Sequence, residues 1–196
     1  MTRRLLLLPL LCAAALAGCG HVPVSTMWAL RSFDATTVDP AQLRAAIRIP
    51  DTLEPQPGGV TLNIGWRREG GAPHEAKFIL KETTDAADLA PLAAEKRPGT
   101  RIHAFRVELA DIPKIKALQA QAIEEKARGG GKTHGSFGVG AEACRRGDLA
   151  DGPLPMTTFL RVEEQGPYLT VLKNVDLRSL VTKEKSLDAL VPACGG

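Results

Sequence analysis

Val60, Leu62, Ile64 and Trp66 alternate with Thr61, Asn63, Gly65 and Arg67. Strict period-two alternation predicts a half-buried strand over 60–67. Glu69-Gly70-Gly71-Ala72 then supplies a turn, and 75–83 returns as a second strand with Phe78 and Leu80 inward. Two alternating runs around a glycine turn read as a hairpin. Upstream, 27–33 is strand-like. Asp39-Pro40 predicts a helix over 40–47, with Asp as N-cap, Pro in the first turn and Leu43, Ala46 and Ile47 as its stripe. Pro50 would end it, and the Pro/Gly-rich residues 51–59 read as a loop.

Beyond the hairpin, Thr84 and Asp85 open a helical stretch to about Lys96. Pro91 within it implies either a kink or a start near Asp88 that leaves Pro91 in the first turn. Residues 101–109 read as a strand with Phe105, Val107 and Leu109 on one face. Asp111 is placed to cap the longest helix, 112–128, with Ile112, Ile115, Leu118, Ala122 and Ile123 as an apolar stripe. Strands follow over 136–144, 156–164 and 168–175. Asp176 should cap a short helix reaching Val181, and the tail reads as a helical turn and coil. The first six elements have the order of a ferredoxin-like split unit. Hairpins outnumber parallel crossovers, so the fold class expected is α+β. It would have a largely antiparallel sheet with about three main helices packed mostly on one face.

The N-terminus follows a different pattern. Arg3-Arg4 precedes an apolar run from Leu5 to Gly18 broken only by Pro9. The run is about 14 residues, short of the roughly 20 that a spanning helix requires. A basic head, an apolar middle and small residues at the end form the layout of a secretory signal. Leu16-Ala17-Gly18-Cys19 resembles the lipobox of bacterial lipoproteins, residue by residue. That resemblance implies diacylglyceryl attachment to the Cys19 thiol, cleavage between Gly18 and Cys19, and acylation of the new amino group, commonly by palmitate. One acyl chain binds a bilayer reversibly, whereas two or three together hold it firmly. Gly20, rather than Asp, after the cysteine implies by the same resemblance sorting to the outer membrane, facing the periplasm. The expected organisation is signal peptide 1–18, a short lipid-anchored tether 19–25 and one domain over 26–196. The tether reaches only about 20 Å, which would hold the domain close to the bilayer.

Processing changes the charge and the cysteine count. The formal charge of +3 falls to about +1 once Arg3 and Arg4 leave. With aromatics at only 4%, a nucleic-acid partner is not expected. The four cysteines lose Cys12 to the signal and Cys19 to lipid. Cys144 and Cys194 remain, and an even remainder in an oxidising envelope reads as one disulfide.

Candidate chemistry is sparse. Gly129-Gly130-Gly131-Lys132-Thr133 lacks the first glycine of a phosphate-binding loop, since Lys126 stands there, and it joins a helix to a strand. His134-Gly135-Ser136-Phe137-Gly138 is a nucleophile elbow with His134 in place of its first glycine, and again a strand follows. His21, His74, His103 and His134 lack ligand spacing. Glu124-Glu125 and Glu163-Glu164 read as solvated charge, and Trp28 and Trp66 as core. No catalytic, metal or cofactor site is therefore expected. The leading expectation is a non-enzymatic, lipid-anchored envelope protein presenting a sheet face or groove to an envelope component. The alternatives are a small-ligand or lipid-binding module with an apolar pocket between helix and sheet, or a hydrolase with an unrecognised site. A sizeable cavity would favour the ligand-binding module.

Overall fold

A computed structural model describes residues 34–129, 132–183 and 186–195. The signal peptide, the lipobox with Gly18 and Cys19, the tether and the strand expected over 27–33 lie outside the described residues. Within them, seven strands form one curled, largely antiparallel sheet with three α-helices. The strands are β1 Arg44–Pro50, β2 Leu53–Arg68, β3 Pro73–Thr83, β4 Thr100–Val107, β5 Thr133–Arg145, β6 Pro155–Arg161 and β7 Leu169–Asp176. The helices are α1 Ala86–Leu89, α2 Ile112–Ala127 and α3 Leu187–Leu190, and 3-10 segments span Ala90–Glu95 and Leu177–Leu180.

The strand order is β5-β2-β3-β4-β1-β6-β7. Every neighbouring pair is antiparallel. This corrects the ferredoxin-like expectation, which requires parallel central neighbours. The correction begins at residues 40–47. Asp39 does start a turn: its carboxylate accepts the Ala41 N–H at 3.2 Å, and its carbonyl accepts the Gln42 N–H at 3.0 Å. The chain then extends into β1 instead of continuing as a helix. β1 lies between β4 and β6, with Ala45, Ala46, Ile47 and Ile49 all fully buried. Alanine favours a helix in isolation, but its small side chain suits a central strand crowded on both faces.

Residues 51–59 also depart from expectation. β2 begins at Leu53 and pairs with β5 through Pro55, then resumes at Val60 after a bulge. Gly58 has φ +71° there, a left-handed conformation open to glycine. The expected hairpin of β2 and β3 forms, with Leu62 opposite Phe78. Pro91 sits at the start of the 3-10 segment that continues α1. Asp111 precedes α2, but its carboxylate binds Lys114 at 2.7 Å rather than capping a backbone N–H.

Alternation along β1 divides the interior in two. Ala45, Ile47 and Ile49 join a large cluster with Leu62, Phe105 and Ile115. Ala46 joins a small one with Leu92, Ala104 and Phe159. Ile115 hangs from α2, and Leu177 from the second 3-10 segment, both into the large cluster; Leu92 brings the first 3-10 segment to the small one. Along the expected α2 stripe, Ile115 is buried and Leu118 half-buried, whereas Ile123 is 50% exposed.

Candidate functional site

A groove of about 540 Å³ lies between α2 and the inner face of the curled sheet. β5 provides one wall through Phe137 and Val139, and β6 and β7 the facing one through Leu160 and Val171. β2 contributes Ile64 and Trp66. The curl brings together strands at opposite ends of the sheet order, β5 and β7. Trp66 is buried, and its ring stacks on that of His74, with centroids 5.0 Å apart and 6° between planes.

Polarity changes along the groove. Leu118, Ala122 and Lys126 stand four residues apart on α2, a spacing that aligns them on one face. α2 leads into β5 through a short connector, so Lys126 lies at the same end as Thr133, and Leu118 lies toward Val139. The contact of Arg68 with Glu125 at 3.2 Å, and the pairing of Arg68 with Thr133, fix that alignment. Toward Val139 and Leu118 the lining is aliphatic apart from Gln119; toward Thr133, where Trp66 lies opposite Gly135, it carries the Lys126 ammonium, the Asp34 carboxylate and a hydroxyl.

Residues 34–38 form a strap beside α2, and Asp34, Ala35 and Thr36 line the groove. Gln119 donates its amide hydrogens to the carbonyls of Ala35 and Val38, each at 2.8 Å. Asp34 and Asp39 meet Lys126 and Lys116 at 3.7 and 3.5 Å. The Asp34 carboxyl is held below the usual carboxylate range by the Thr36 hydroxyl and N–H, with Lys126 adding to the effect. Its contribution is present above the unfolded carboxylate pKa of 3.8 and is lost as pH falls through the lower folded value. Replacing Gln119 by Leu leaves both half-buried carbonyls without their donor, at a local cost of about 1–3 kcal/mol. Hydrogen exchange should accelerate in residues 35–39 while β1 and β4 stay protected; unchanged exchange in the strap would show that Gln119 does not hold it.

The remaining candidates fall apart spatially or into structural roles. Ser136 lies mid-strand in β5 opposite Gly65, without the strand-turn-helix setting of an elbow. Lys132 and Thr133 follow α2 and open β5, so no helix N-terminus faces them. His103 is buried and its Nδ1 lies 2.7 Å from a Glu82 oxygen. His74 stacks on Trp66, and His134 is exposed on β5; His21 and Trp28 lie outside the described residues. Among the described residues no group of three or more His, Cys, Asp and Glu side chains is placed to hold a metal ion. Glu125 pairs with Arg68 and Arg128, and Glu124 with Arg128.

Cys144 and Cys194 form the expected disulfide, with Cα atoms 4.9 Å apart. Around it, the Arg145 N–H donates to Pro192 O at 2.8 Å, and the Cys194 N–H donates to Arg145 O at 2.9 Å. Sequence reasoning missed two features. One is Gln119, whose only signal is a polar residue beside the apolar stripe of α2. The other is a cluster in which Asp88 binds both Arg44 and Arg161, which has no local signal at all. Among the described residues no helix is long and apolar enough to cross a membrane. No protein-family model, no curated protein and no solved structure matches this chain.

Proposed function

We propose that this chain is a lipid-anchored protein of the bacterial cell envelope that works by binding rather than by catalysis, and that the groove between α2 and the sheet takes an apolar ligand. The groove carries this reading. Its volume of about 540 Å³ falls within the range of small-molecule sites, roughly 300–1,000 Å³. Its walls combine aliphatic and aromatic side chains with a smaller number of polar ones, the usual composition of such sites. A groove of this kind favours the ligand-binding alternative over docking through a closed, apolar surface patch.

The anchor belongs to the same reading. Cleavage between Gly18 and Cys19 and lipidation of Cys19 would place the protein on the outer membrane, facing the periplasm. The Cys144–Cys194 disulfide supports an oxidising compartment. Fully extended, the chain from Cys19 to Asp34 spans at most about 50 Å, so the groove would stay near the bilayer. On this reading the helices lie mostly on one face: α2 and α3 send Ile115, Leu187 and Leu190 to the large cluster, whereas Leu89 of α1 meets the small one.

Two measurements test the reading. Cys19→Ala should abolish lipid labelling and leave the protein unprocessed; a variant still lipidated and cut would refute the anchor. Organic extraction of the purified protein, followed by mass spectrometry, should release an apolar molecule. Ala122→Trp, which fills the groove from a half-buried position, should reduce its recovery at least tenfold. Equal recovery from that variant would exclude the groove as the binding site.

A further inference from the structure

We propose that the ligand is a single-chain anionic amphiphile, a long-chain carboxylate, lying with its chain along β5 and its carboxylate at Lys126, where it displaces Asp34 and loosens the strap. This rests on the groove being a ligand site, and adds the ligand's class, its direction and a coupling to the strap.

The polarity gradient sets the class. From Val139 to Thr133 the β5 wall runs about 20 Å at strand rise. That length suits one extended chain. Along it α2 passes from Leu118 to Lys126 while β5 itself passes from Val139 to Thr133. A purely apolar molecule would leave the ammonium and hydroxyl end unused. A neutral head group would match the hydroxyl but not the charge. A carboxylate can accept from both Lys126 Nζ and the Thr133 hydroxyl, forming charge-assisted hydrogen bonds, which are the stronger kind.

The place of that carboxylate is taken by the protein's own. Asp34 Oδ2 lies 3.7 Å from Lys126 Nζ, and the two side chains are 45% and 71% exposed. A contact so long and so wet contributes little. A ligand carboxylate backed by chain burial in the groove can replace it. Asp34 is the first residue of the strap, and once it is released Gln119 is the main remaining tie of residues 35–38 to α2. Binding at the charged end thereby weakens the hold on the segment that leads back toward the membrane anchor. The exchange involves no covalent step.

The test uses the full lipidated chain in nanodiscs of neutral phosphatidylcholine, with empty discs subtracted. Energy transfer from tryptophan, Trp66 lining the groove, is followed on adding cis-parinaric acid or the corresponding alcohol. The acid is expected to bind at least tenfold more tightly than the alcohol. Lys126→Gln should bring that ratio to within about twofold of unity. Hydrogen exchange in residues 35–38 should rise with the acid and not with the alcohol. No preference in the native protein, or a preference that survives Lys126→Gln, overturns the carboxylate assignment while leaving the groove reading standing. No transfer above empty discs from either probe, or transfer unaffected by Ala122→Phe, which narrows the groove without adding a tryptophan, overturns the groove reading and this proposal with it.

Discussion

Asp88→Ala should destabilise the domain by about 3–5 kcal/mol, the cost of leaving buried charges without their partner. Arg44 and Arg161 stand directly opposite each other across β1 and β6. Like charges in that position repel. Asp88, brought over them by the single turn of α1, accepts from Arg44 Nε at 2.7 Å and from Arg161 Nη2 at 2.6 Å on one oxygen. Its other oxygen accepts the Thr83 hydroxyl at 3.2 Å. The Asp88 and Arg161 side chains are 5% and 6% exposed, so water does little to screen them. Tyr168 completes the cluster: its ring lies 5.1 Å from the Arg161 guanidinium carbon, and its hydroxyl donates to the Asp88 carbonyl at 3.2 Å. Burial pushes the Tyr168 phenol up to about 12, against the pull of Arg161, so it remains a neutral donor at physiological pH. Removing Asp88 strands two cations at once. Arg161→Met removes one of them, keeps much of the volume and leaves Arg44 paired with Asp88; it should cost less than half as much. Urea unfolding with an unchanged m-value measures both. A loss below about 1 kcal/mol for Asp88→Ala would mean that water already reaches the cluster.

That cluster shows where sequence reading stops. The β2–β3 hairpin was legible because its pattern is local: alternate residues face the core, and Gly70 with φ +74° makes the turn. α2 was legible for the same reason, from a stripe at helical spacing. β1 was not. Its alanines carry the helix preference of isolated chains, and the reason they are extended is the presence of β4 and β6, whose contributions come from far along the sequence. Asp88 read as a helix-start residue; nothing near it announces two arginines from opposite ends of the chain. The groove was illegible for a similar reason. Its walls come from β2, β5, β6, β7 and α2, and only the curl of the sheet sets Val171 facing Phe137. The apolar pocket between helix and sheet was foreseen as a type of site, while its residues were not. The disulfide was readable, because counting cysteines requires no knowledge of where the strands go.

Cys194→Ser should lower stability by about 2–4 kcal/mol and free the tail selectively. The bridge closes a separation of 50 residues, for which the chain-entropy account gives about 4 kcal/mol. Two other features of the tail determine how much of this is seen. Val191 is 1% exposed and packs into the large cluster, with Leu187 and Leu190 against it. Arg145 also ties to the tail, through Pro192 and Cys194 on the backbone and Asp188 at 3.1 Å. These contacts keep the tail partly docked without the bridge, so the loss should fall short of complete unfolding. Cys144→Ser should be the costlier of the two, because Cys144 is 6% exposed and its replacement puts a hydroxyl where the surroundings are apolar, whereas the Cys194 side is more open. Double replacement should resemble Cys144→Ser alone, since both remove the same cross-link. Hydrogen exchange should show residues 186–195 opening first, with β1 and β6 protected to the limit of global unfolding. If Cys194→Ser and Cys144→Ser lose the same stability and the tail exchanges no faster than in the native protein, the bridge acts only on the unfolded chain, and the contacts of Val191 and Arg145 alone hold the tail in place.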